Sequence, residues 1–251
     1  MEQEKAQKPK VSKIRKIYIA RLIGRCVVFV LSVLWFVFDR EEITKMLQGW
    51  NFFKEFSVMH LLWIVWVIDM ICQLIPVKNH ISIGSQKLFK ERFRPLTDKI
   101  NYQALRNYVI STTKGAYKVF IIWFVFIGLI GLLHHIHVLD DAALFLISVA
   151  FYVCDLICVL IWCPFRLIMR NRCCTTCRIF NWDHLMMFTP MMFLGGFYPR
   201  SLLLMSVAVW LVWELCVMMY PERFWEVTNT ALQCSQCTDK LCTQYCQKLR
   251  R

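Results

Sequence analysis

The chain has 251 residues, of which 58% are hydrophobic and 15% aromatic, yet it carries a formal net charge of +13. Soluble domains are nearer half apolar and a quarter charged, so this composition excludes an ordinary soluble domain. Apolar residues gather into runs near the roughly 20 residues a bilayer requires, with charges between them, which predicts an all-α polytopic membrane protein. A β-barrel is excluded too, because its strands alternate in polarity and these runs are apolar on every side.

The first sixteen residues, "MEQEKAQKPKVSKIRK", are polar and basic. The apolar run after them outlasts a signal-peptide core and has no small-residue cleavage site, so the expectation is that it stays as the first span. Six spans read out at about 18–38, 57–76, 117–137, 142–163, 181–199 and 201–220. The expected organisation is a basic arm (1–17), a six-helix membrane domain (18–220) with a basic loop (77–116) and a cysteine-rich loop (164–180), and a cysteine-rich tail (221–251). Arm and first loop hold Lys5, Lys8, Lys10, Lys13, Arg15, Lys16 and then Lys78, Lys87, Lys90, Arg92, Arg94, Lys99, Arg106 and Lys114. Arg166, Arg170, Arg172 and Arg178 follow the fourth span, and Arg223, Lys240, Lys248, Arg250 and Arg251 follow the sixth. Every second loop is basic, so the positive-inside rule puts both termini in the cytoplasm, in a cell membrane. The loop is expected to lie on the inner leaflet, with lipid headgroups rather than nucleic acid as the partner for its charge.

The fifth span is the weak one: "LMMFTPMMFLGGFYP" contains Pro190, Gly195, Gly196 and Pro199 and reaches full length only by including Asp183 and His184. A re-entrant path there would put the tail outside; the basic charge of the tail favours crossing. The even-numbered spans share a pattern of acid, cysteine and closing proline: Asp69 with Cys72, Asp155 with Cys158, Glu214 with Cys216. Three related hairpins are the architectural reading of that repeat, against chance recurrence in apolar helices.

Three constellations can carry chemistry. Seven cysteines fall in two segments assigned to the cytoplasm: Cys173, Cys174 and Cys177 in the loop, and Cys234, Cys237, Cys242 and Cys246 in the tail. A reducing compartment disfavours disulfides, and two C-x-x-C knuckles, Cys174 with Cys177 and Cys234 with Cys237, can complete a tetrahedral zinc site. The four tail cysteines offer an iron-sulfur cluster as the alternative, although C-x2-C-x4-C-x3-C departs from the bacterial ferredoxin spacing. Palmitoylation of Cys173 and Cys174 is the plainer reading of those two.

Secondly, Asp69, Asp155 and Glu214 lie inside apolar spans at similar depth, where ionisable groups are costly and mark a cation or proton pathway, or else pair for packing. Arg21 and Arg25 are the candidate partners. Thirdly, His134, His137 and Asp141, at i, i+3 and i+7 in "LLHHIHVLDD", are expected on one helical face as an outer transition-metal site, or as ordinary interfacial residues. Met186, Met187, Met191 and Met192 can extend a soft-ligand path, but methionine in a membrane helix is usually packing.

No nucleotide-binding, hydrolase or zinc-protease motif occurs, and no catalytic residue is assigned. The expected function is cation or transition-metal transport. The alternative is a membrane-anchored metalloprotein, either an iron-sulfur redox relay or a zinc-stapled platform for a cytoplasmic protein partner. An intramembrane enzyme built on paired carboxylates is a third, weaker reading.

Overall fold

The computed structural model describes residues 13–75, 89–90, 93–96, 100–170, 177–236 and 241. Among these the regular elements are helices and 3₁₀ turns: α1 (Lys13–Phe38), α2 (Arg40–Leu47), α3 (Val58–Leu74), α4 (Tyr102–His135), α5 (Asp141–Leu160), α6 (Phe165–Met169), α7 (Asp183–Phe188) and α8 (Phe197–Met219). Local chemistry sets several starts. Asp39, Asn101 and Asp140 each accept a hydrogen bond from a first-turn backbone N–H, opening α2, α4 and α5.

Four helices, α1, α4, α5 and α8, are long and apolar enough to cross a membrane. The second expected span is represented by α3, whose 17 residues, most of them apolar, rise about 25 Å. The fifth, expected over 181–199, is not one helix. It is a 3₁₀ turn (Arg178–Trp182), the single turn and a half of α7, and a second 3₁₀ turn (Thr189–Phe193). Pro190 supplies no N–H, and Gly195 and Gly196 have poor helix propensity, so a continuous helix has no local support past Phe188.

Long-range contacts fix the directions. Arg25 meets Asp155 while Arg40 meets Asp140, so α1 and α5 are antiparallel. Arg25 meets Asp69 while Ser57 donates to Glu42, so α3 also runs against α1. The broken segment runs alongside α4 in the same direction. Arg178 donates to Thr113 at 2.8 Å, Trp123 donates to Thr189 at 3.0 Å, and Phe193 lies against Gly131. Thr113 to Gly131 is about 27 Å along α4, so the segment covers nearly the whole apolar length of that helix despite its breaks.

One bundle end therefore gathers the start of α1, the ends of α3, α5 and α8, and the first turns of α4. The other gathers α2, the start of α3, the turn between α4 and α5, and the start of α8. At that second end an added Cβ on Gly196 would lie 1.9 Å from the Leu47 carbonyl oxygen, and Phe197 N–H donates to Gly49 O at 2.8 Å. The core between the ends is aromatic: Trp66, Phe145, Phe188 and Tyr198 are fully buried, with Trp66 edge-on to Phe188 at 5.1 Å.

Charge divides between the ends. The first carries Lys13, Arg15, Lys16, Arg106, Lys114, Arg166, Arg170 and Arg223 against Glu222 and Glu226. The second mixes Arg40, Lys45 and Lys54 with Asp39, Glu41, Glu42, Glu55, Asp140 and Asp141. At the basic end, residues after α8 dock on the loop before α4. Thr230 N–H donates to Arg94 O, Leu96 N–H donates to Thr228 O, and Trp225 stacks on Tyr108 at 5.4 Å.

Candidate functional site

The centre of the bundle holds a charged cluster. Arg25, half-way along α1, donates through one terminal nitrogen to Asp155 at 2.6 Å and to the Tyr152 carbonyl at 2.7 Å. Its other terminal nitrogen reaches Asp69 at 3.4 Å, and the guanidinium lies 3.9 Å from the Tyr152 ring centroid. Two helices, α3 and α5, thus converge on the guanidinium carried by α1, which lets a largely enclosed arginine satisfy its fork of donors.

The cluster continues on α7. His184 is 5% exposed; its Nδ1 is 3.1 Å from Asp183 and its Nε2 is 3.6 Å from Asp69. Gln73, one turn beyond Asp69 on α3, donates to Asp183 at 2.7 Å, and its own carbonyl oxygen is buried with no hydrogen-bond partner among the described residues. Three carboxylates therefore face Arg25 and one imidazole, with Arg21 lining the same cavity as Arg25 and Asp69. Counting both arginines, the charges balance when His184 carries a proton and leave one negative charge when it does not.

Cavities touch the cluster from two directions. One of about 320 Å³, between α1 and α3, is lined by Arg21, Arg25, Asp69 and Tyr152. The other, about 220 Å³, lies among α4, α5 and the broken segment; its lining includes Asp155 and Asp183.

Of the three acids expected together, the structure joins Asp69 and Asp155 through Arg25 and places Glu214 in a separate pairing. Glu214 accepts from Arg178 through both carboxylate oxygens, one at 3.1 Å, and from Trp182 Nε1 at 2.8 Å. Asp183 and His184 complete the central cluster instead. Their signal in the sequence was an adjacent ionisable pair inside an otherwise apolar span; Gln73 gave no comparable signal.

The expected single face for His134, His137 and Asp141 does not form, because α4 ends at His135 and α5 begins at Asp141. His137 sits in the left-handed region with φ of 60°, turning the chain between them. The turn still brings His134 Nε2 to 3.0 Å from Asp141, whose second oxygen accepts from Gln48 at 2.8 Å. This is a hydrogen-bonded tie between α2, α4 and α5.

Among the seven loop and tail cysteines, Cys173, Cys174, Cys237, Cys242 and Cys246 lie outside the described residues, as does the side chain of Cys234. Cys177 is buried. Met186, Met187 and Met191 are buried, and Met192 is half exposed. Among the described residues no group of three or more His, Cys, Asp or Glu side chains is arranged to hold a metal ion.

Outside the membrane-length segments, Asp140 at the turn before α5 has a perturbed carboxyl. Burial pushes its carboxyl up, but the Arg40 guanidinium and the Ala143 backbone N–H together hold it below the usual value of 3.8. Comparison with protein-family models, with curated proteins and with solved structures gives no match.

Proposed function

We propose that the chain is a multi-pass membrane carrier for a cation, with the Arg25, Asp69, Asp155, Asp183 and His184 cluster as its intramembrane station. The observation that carries this reading is the balance of that cluster: three partly buried carboxylates, with cavities on two sides, come to neutrality only with one exchangeable positive charge. Ionisable groups at such depth are expensive and are retained where an ion or proton must pass. The unpartnered Gln73 oxygen supports the same reading, since a neutral acceptor beside a carboxylate suits a bound cation or a protonated neighbour.

In this reading the chain crosses six times, the broken segment 178–193 being the fifth crossing, and the basic end with both termini faces the cytoplasm. Discontinuous backbone at membrane depth is tolerated where it is buried in protein or lines a cavity, and 178–193 does both. Vesicles containing the full chain and an internal pH dye, challenged with Cu(I) or Zn²⁺, test it. Metal-dependent proton flux is expected and should be lost in Asp155→Asn and in His184→Gln. Flux undiminished with Asp69, Asp155 and Asp183 all changed to Asn would sink the reading.

A second reading, a zinc-stapled cysteine module joining loop and tail, is favoured by one contact. Leu241, next to Cys242, is buried in a cluster with Tyr18, Leu156 and Phe180, the last only three residues from Cys177. Tail and loop are thus neighbours at the basic end. Stoichiometric zinc in the purified protein, lost on changing Cys234 and Cys237 to Ser, is the expected outcome; metal-free protein would rule it out, as broad absorption near 400 nm would point to iron-sulfur instead.

A further inference from the structure

The cavity of about 220 Å³ beside the cluster has a lining rich in sulfur: the thiols of Cys154, Cys158, Cys163 and Cys177 and the thioethers of Met186 and Met187. The sequence explains the convergence. Cys154 and Cys158 are four apart on α5 and share a face, while Cys163 follows once the helix has ended at Leu160 and the chain turns through Pro164. Cys177 opens the broken segment, and Met186 and Met187 lie on α7 opposite. Cys158 and Cys163 thus line one cavity from either side of the end of α5. Seven described cysteines, these four included, are thiols rather than disulfides.

We propose that Cys158 and Cys163 form a two-coordinate site for a soft monovalent metal ion of the Cu(I) or Ag(I) class. Two converging thiols are too few for zinc, which takes four ligands in a closed site. They match the low coordination number of a d¹⁰ monovalent ion, and thiolate with thioether is the donor set that selects Cu(I) over harder ions. The cavity surface is largely apolar, with Trp123, Phe151 and Phe165 among its walls, which suits a weakly hydrated soft ion better than a hard one.

Two S–H bonds break, two sulfur-metal bonds form, and two protons leave, so the dithiolate complex carries one negative charge. Asp155 and Asp183, in the same lining, are the bases nearest to hand for those protons, and Arg166, also in the lining, puts positive charge beside the complex. Metal entry and proton loading of the central cluster would thereby share a wall. As an assignment of cargo this rests on the carrier reading above; as a binding site it does not.

The test starts from the full chain in detergent with Cys173, Cys174, Cys234, Cys237, Cys242 and Cys246 changed to Ser, which removes the competing loop and tail thiols. One Cu(I) per chain should be held against a chromogenic Cu(I) chelator, and adding Cys158→Ser or Cys163→Ser should weaken it by at least about a hundredfold. No Cu(I) bound in the starting variant, or binding unchanged by both substitutions, overturns the proposal. Metal held at this pair without metal-driven proton flux would sink the carrier reading and leave the site standing, whereas flux without binding at the pair would do the reverse.

Discussion

Arg25 illustrates how one side chain can decide the worth of several others. Its guanidinium is 11% exposed and is shared unequally, 2.6 Å from Asp155 and 3.4 Å from Asp69. Removing one partner of a buried ion pair leaves the other charge uncompensated, which typically costs about 3–5 kcal/mol. Asp155→Ala is therefore expected to fall in that range, and Asp69→Ala to cost less, because Asp155 remains to hold the arginine. Arg25→Leu combined with Asp155→Leu should recover much of the loss, since an apolar replacement of the whole pair is often near neutral. Thermal unfolding in one detergent ranks the three, and equal costs for the two single aspartate changes would contradict the unequal sharing. Asp69, Asp155 and Arg25 were legible in the sequence because ionisable residues stand out against an apolar run. That Glu214 belongs elsewhere was not legible, because its partner Arg178 lies 36 residues away in a loop whose path depends on the break before α7.

Elements show the same divide between local and non-local information. Helices α1, α4, α5 and α8 were predicted because twenty apolar residues leave the backbone no partner but itself. The interruption of the fifth span was legible as Pro190 and the glycine pair, but its alignment with α4 rests on Trp123 and Thr189, which nothing in either local stretch announces. Close approach makes this element testable at its end. A Cβ on Gly196 would meet backbone at 1.9 Å, whereas one on Gly128 would meet nothing within 4 Å. Gly196→Ala should lower the melting temperature sharply or abolish folding, and Gly128→Ala should leave it unchanged or raise it slightly through helix propensity, by up to about 1 kcal/mol. The turn before α5 offers a pH test. Asp140 titrates below its unfolded value of 3.8, so its contribution is complete above that value and is lost as pH falls through the lower folded-state one. The pair with Arg40 is half exposed, so screening leaves it worth only about 0–1 kcal/mol. The expected acid loss is correspondingly small, and Asp140→Asn should flatten that part of the stability profile.

At the scale of the whole molecule, the paths of α1, α3, α4, α5, the segment 178–193 and α8 alternate between a basic end and an end of mixed charge. A re-entrant fifth segment would turn back within the bundle, and its two ends would approach the same end of α4. Instead Arg178 sits at Thr113 and Phe193 at Gly131, about 27 Å apart along that helix. The far end is then tied to a second, independent landmark, since Phe197 N–H bonds to Gly49 O beside α2. Two landmarks on different helices show that the segment runs from one end of the bundle to the other, which hydropathy leaves ambiguous for this proline- and glycine-bearing stretch. The expected outcome follows directly. Protease sites inserted at 54–55 and at 137–138, both in exposed turns of the mixed-charge end, should be cut only from outside sealed right-side-out vesicles. A site inserted after Glu222 should be cut only from inside, as should one placed ahead of Lys13. Cleavage after Glu222 from the outside would mean that 178–193 does not cross. It would also strand the basic residues following α8 on the wrong face, although Arg94 and Thr230 are held together at one end of the bundle by their backbone hydrogen bond.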